Sequence, residues 1–152
     1  MAYFKDLSLY SYSKGETSIL PAFNIGWLSK DQSFIAGETS QQFREKLYGF
    51  CVDENLVLVM RGFHKCEFCE LSYDEWLKTH PDYGKSAKFM GLGTGEIRVI
   101  GKSVIYAAPS LIYHYISTHD YMPPQEFIEA ILTGPQPGST EHNALLNNYK
   151  HH

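Results

Sequence analysis

GLGTGEIRVIGKSVIYAAP, residues 91–109, carries two runs rich in β-branched and aromatic residues on either side of Gly101–Lys102. Two such runs joined by a short glycine-containing step predict a β-hairpin with its tight turn at Gly101–Lys102. A hairpin argues against an all-parallel sheet, whose neighbouring strands need long crossovers. Gly91, Gly93 and Gly95 match a phosphate loop only in composition. A dinucleotide loop opens a helix, whereas here the strand residues EIRVI follow. The glycines are better read as conformational freedom for the chain to turn into the hairpin.

Outward from the hairpin, NLVLVMRGF (residues 55–63) is a continuous apolar run and reads as a central strand covered on both faces. PAFNIGWL (residues 21–28) reads as a strand entering a turn, and Leu7–Tyr12 as a short strand. A helix is expected over Ser40–Val52, capped by Thr39 or Ser40, with Phe43, Leu47, Phe50 and Cys51 on its buried face. A second begins at Ser72, a third runs from Pro109 to about His119, and a fourth runs from Pro123–Pro124 to Gly134. A last helix is expected over Thr140–Tyr149. Strands and helices mix without strict alternation. The class is therefore α+β, a small antiparallel or mixed sheet with packed helices, and 152 residues suit one domain over residues 1–150.

Charge and hydropathy exclude several functions. Net charge is −4, and the 13 basic residues are scattered, so there is no footprint for nucleic acid. No apolar run approaches the length of a membrane span. MAYFKDLSLYSYSKGE lacks the basic and apolar regions of a signal peptide, which predicts a cytoplasmic protein. Cysteines stay reduced there, so a close pair points to metal or redox chemistry rather than to a structural disulfide.

RGFHKCEFCE, residues 61–70, contains such a pair in Cys66 and Cys69, with His64 just before it. Two cysteines spaced by two residues can bind one tetrahedral ion from a single turn, like a zinc knuckle, and their soft thiolates select Zn²⁺ over magnesium or calcium. Two further ligands are needed. LIYHYISTHDY supplies His114 and His119, with 44 residues between Cys69 and His114, so the two halves must meet through the fold. On an ideal helix, residues five apart point about 140° away from each other. Both histidines then reach one ion only if the helix distorts near Ser117–His119 or ends before His119. His64 is the rival fourth ligand, because two residues before Cys66 on an extended segment it faces the same side. A thioredoxin-like use of the pair would want Cys66 at a helix N-terminus, whereas the next helix starts at Ser72. Cys51 reads as core.

A catalytic zinc keeps three protein ligands and a water, with a carboxylate as base; Glu67, Glu70 and Glu96 are the candidates. No H-E-x-x-H and no deaminase pattern is present, and a structural ion is favoured. Arg61 and Arg98 lie on expected strands, where each needs a partner such as Glu96 or Asp53 or marks an anion pocket. Tyrosine supplies 11 of the 22 aromatic residues, and Trp27, Tyr106, Tyr113 and Tyr115 are candidates for a ligand or partner pocket.

Three blocks together, NIGWL, RGFHKCEFCE and GTGEIRVIGKSVIYAAPSLIYHYISTHDYMPPQEFIEAIL, resemble an uncharacterised family of small bacterial proteins. That family carries an RGFH-x-C-x-F-C block and a YAAP-x-LIYHYI-x-x-H-x-Y-x-PP-x-EFI block, and the resemblance spans most of residues 24–132. It implies that His64, Cys66, Cys69, His114 and His119 belong to a recurring pattern, without choosing among the histidines. The expectation is a zinc-stabilised cytoplasmic binding protein with a protein partner, of the kind an immunity or antidote protein forms with a bacterial toxin. The alternative is a zinc-dependent hydrolase with an open metal position.

Overall fold

A computed structural model describes residues 3–10, 21–51, 55–59, 66–69 and 95–150. The hairpin is its centre. β3 (Gly95–Ile100) and β4 (Ile105–Pro109) pair antiparallel, with Ile100 opposite Ile105 and Glu96 opposite Pro109. The N–H of Gly101 donates to the carbonyl of Val104, so the two turn residues are Lys102 and Ser103, one position later than the sequence suggests. Ser103, not the glycine, takes the left-handed conformation at φ 59°.

β1 (Ala22–Asn24) runs parallel to β4, and β2 (Leu58–Val59) runs antiparallel to β3, giving the order β1-β4-β3-β2. The sheet is mixed, as expected. Within the described strand order the 55–63 run is not central, however. Among the described residues that run contributes only the two residues of β2, at the end of the strand order. β3 and β4 take the middle, and every one of their residues is buried. A continuous apolar run marks burial but not position within a sheet. The Leu7–Tyr12 segment makes only an isolated bridge, Leu9 to Phe23, within the described residues.

Helix α1 (Gln41–Cys51) starts where the sequence places it, with the Ser40 hydroxyl accepting from the Phe43 N–H at 3.1 Å. α2 (Ile112–His119), α3 (Gln125–Thr133) and α4 (Thr140–Lys150) follow β4. α1 packs on α2, α3 and β3, while α3 and α4 also reach β3. The inward residues Ile97 and Val99 of β3 and Tyr106 and Ala108 of β4 meet Phe43, Leu47, Ile112, Tyr115, Phe127 and Ile131 in one core. By the two-residue period of a strand, Glu96 and Arg98 face the opposite side. The helix expected from Ser72 lies outside the described residues.

One glycine fixes where α2 sits. Gly26, just past β1, has φ 76°, and a Cβ there would stand 2.7 Å from Cδ1 of Ile112. Its N–H donates to Asp6, and the other oxygen of that carboxylate accepts from the buried Tyr121 hydroxyl at 2.6 Å. Tyr121 follows α2 directly. The N-terminal segment, the exit of β1 and the end of α2 are thus tied together. Burial first, and the neighbouring carboxylate second, raise the Tyr121 phenol so that it stays a donor.

Candidate metal centre

Cys66 precedes a single 3-10 turn, Glu67–Cys69, and Cys69 ends it. This turn lies against α2, where Phe68 packs edge-on to Tyr115 at 5.7 Å and tilted to His119 at 5.5 Å. Phe34 closes the other side of Phe68, at 5.3 Å. The aromatic contacts set the turn so that both sulfurs face the C-terminal half of α2.

Ligand atoms of Cys66, Cys69, His114 and His119 all lie within 4.8 Å of one another. Sγ of Cys66 is 3.3 Å from Nε2 of His119, and Sγ of Cys69 is 3.3 Å from Nε2 of His114 and 3.4 Å from Nε2 of His119. The two cysteines approach to 3.9 Å. A tetrahedral zinc with Zn–S of about 2.3 Å and Zn–N of about 2.0–2.1 Å has S···N edges of about 3.6 Å and an S···S edge of about 3.8 Å. The four atoms fit that outline. Pairing each thiol with one imidazole by an S–H···N bond leaves one short S···N contact over. His119 Nε2 faces two sulfurs at once, and a ring nitrogen has one lone pair or one hydrogen to offer. Four electron-pair donors converging on one point is the arrangement a cation satisfies.

The five-residue spacing of the histidines is accommodated at the helix end. His119 is the last residue of α2, and Asp120 follows in the left-handed conformation, φ 57° and ψ 26°, with its N–H bonded to the carbonyl of Tyr115. Side chains on a helix lean toward its N-terminus. The His119 ring therefore leans back over the last turn, bringing the two imidazole centroids to 5.1 Å. The sequence offered a distorted helix or a helix that ended earlier. The structure uses neither, because the last helical position suffices.

Burial favours the neutral forms of Cys66 and His119. Burial pushes the Cys66 thiol up to about 12, with the neighbouring Cys69 adding to the rise. Burial lowers His119, against the opposing pull of Asp120. A buried thiol raised as Cys66 is makes a poor nucleophile at neutral pH, which weighs against a thioredoxin-like pair led by Cys66. A cation would supply the positive charge that the thiolates otherwise lack.

Thr118 was not singled out in the sequence. Its Oγ1 lies 3.4 Å from Nδ1 of His114, the ring nitrogen turned away from the sulfurs. A partner there restrains the ring's orientation. The four-residue spacing from His114 was the available signal.

His64 and Arg61 lie outside the described residues. Arg98 is buried and pairs with Glu96, Nη1 to Oε1 at 2.9 Å, while its Nη2 donates to the Tyr10 hydroxyl at 2.9 Å. Trp27 donates through Nε1 to the Ala107 carbonyl at 3.0 Å and meets Phe4 edge-on. Tyr113 lies against Tyr48 of α1. Tyr106 bonds Glu126 at 3.3 Å, and its phenol is pushed up to about 12 by burial first and that carboxylate second. Cys51 is the buried last residue of α1, and burial raises its thiol; it is not part of the cluster. No described helix is long and apolar enough to cross a membrane.

Fold and site together define an α+β protein with a two-cysteine, two-histidine cluster that can hold a metal ion. The chain belongs to the family described as a domain of unknown function, DUF7919, whose profile matches residues 2–132 and so includes all four cluster residues. No curated protein and no solved structure gives a significant match.

Proposed function

We propose that this protein holds one zinc ion between Cys66, Cys69, His114 and His119, and that the ion is structural. The carrying observation is the convergence of four ligand atoms from two distant segments within 4.8 Å. Soft sulfur with imidazole suits zinc, and four protein ligands complete a tetrahedron without leaving a place for a reactive water. The ion would join the 3-10 turn to α2, two elements otherwise held together by the rings around Phe68. Reduced thiolates suit the cytoplasm, the compartment proposed for the chain.

Metal analysis of untagged protein tests this reading. About one zinc per chain is expected, lost on Cys66→Ser, Cys69→Ser, His114→Ala and His119→Ala but kept on His64→Ala. Retention in any of the first four would mean an open position and would call for a hydrolysis screen. A chain that binds no metal overturns the proposal. The proposal extends to a protein partner of the immunity type, supported by size and acidic balance. Affinity capture from native lysate that recovers no stoichiometric partner would count against that extension.

A further inference from the structure

We infer that Cys66 and Cys69 form a peroxide-sensitive latch on this site: their oxidation to a disulfide ejects the ion and releases the turn from α2. The inference rests on the zinc reading above and adds a regulation to it.

Three observations carry it. Both sulfurs are free thiols placed 3.9 Å apart across a single turn. A disulfide needs an S–S distance of about 2.05 Å, so side-chain rotation within the turn, about 2 Å of closure, brings them together. The two differ in access. Cys66 is only 1% exposed, whereas Cys69 is half-buried and open to a small oxidant. Every sulfur in the cluster also belongs to this one pair, because Cys51, the buried last residue of α1, lies outside it. Oxidising the pair therefore removes both thiolates at once and leaves two neutral imidazoles, a weak set for zinc.

The oxidant is hydrogen peroxide or an alkyl hydroperoxide. The Cys69 thiolate attacks the peroxide O–O bond, forming Cys69–SOH and releasing hydroxide. The Cys66 thiolate then attacks that sulfur, forming the S–S bond and expelling a second hydroxide. Two electrons pass from the sulfurs to the peroxide, and two thiolates plus one H₂O₂ become one disulfide plus two hydroxides. A thiol reductant reverses the change and restores the ligand pair.

The test treats the zinc-loaded full chain with hydrogen peroxide in the presence of a chromogenic zinc indicator. Thiols are then alkylated and located by peptide mass. The expected result is release of the bound zinc in step with loss of the Cys66 and Cys69 thiols. Cys51 should stay alkylatable, and dithiothreitol with added zinc should restore the starting state. Cys51→Ala should respond like the parent. Cys69→His, which replaces a sulfur with another zinc-binding atom, should hold whatever zinc it carries at the same peroxide dose. Zinc that stays bound through a peroxide excess, or that leaves with Cys69 over-oxidised and no Cys66–Cys69 disulfide, overturns the latch and leaves the zinc site standing. A chain that never takes up zinc overturns both.

Discussion

Two polar clusters among the described residues are built in opposite ways. On β3, Glu96 and Arg98 cancel each other's charge at 2.9 Å, and Tyr10 bridges them, donating to Glu96 at 3.0 Å and accepting from Arg98 at 2.9 Å. The Arg98 guanidinium also lies 4.6 Å from the centre of the Tyr10 ring. That cluster holds donors, acceptors and both signs of charge within itself. Around α2, two cysteines and two histidines bring four potential ligand atoms within 4.8 Å of one another. The first cluster pairs its charges internally. The second has the outline that a bound cation would use. The lesson is that burial alone does not identify a candidate binding site; the convergence of metal-ligating atoms does.

The sharpest way to break the comparison is to remove the proposed ion. A strong chelator should lower the melting temperature of the zinc-loaded protein markedly, reflecting an apparent binding free energy on the order of 10 kcal/mol. Calorimetry before and after zinc is restored checks this. An unchanged melting curve would make the α2 cluster as self-sufficient as the one on β3.

Breaking the β3 cluster from one side should come next in size. Arg98→Met leaves the Glu96 carboxylate buried without its cation and should cost about 3–5 kcal/mol in urea denaturation. Replacing both groups, Glu96→Leu with Arg98→Met, should recover most of that loss, because an apolar pair has nothing left to neutralise. Zinc content should be unaffected in either protein.

A finer cut separates the ligands from their support. Thr118→Val removes the hydroxyl behind His114 and should weaken zinc binding roughly tenfold, with little change in the stability of the metal-free chain. Competition with a zinc-binding dye measures it. The smallest effect is expected for Tyr10→Phe, which deletes the bridging hydroxyl while Glu96 and Arg98 keep each other. It should cost about 1 kcal/mol, read from the same urea curves.

Much of the site was legible before any coordinates. Cys66 and Cys69 announce themselves by spacing, and His114 and His119 by residue type. Their convergence was not legible, because 44 residues separate the pairs and a five-residue step on a helix points the wrong way. The deciding feature is that His119 is the last residue of α2 and its ring leans back to 5.1 Å from that of His114. Arg98 shows the same limit. Its need for a partner could be argued from a charged residue on an apolar strand, but Tyr10, 88 positions away, could not be named. The strand run at 55–63 misled for a related reason: hydrophobicity reports that a segment is covered, not by what.

The sequence by itself determined the α+β class, the hairpin, four of the helices to within a few residues, and the chemical character of the cluster. These follow from local propensity, capping and periodicity, which act over a few neighbouring residues. Only the tertiary structure decided that β3 and β4 lie in the middle of the sheet and that the cysteine turn meets the end of α2. Both depend on contacts between residues far apart in the chain, and no local pattern encodes which distant surface a segment will meet.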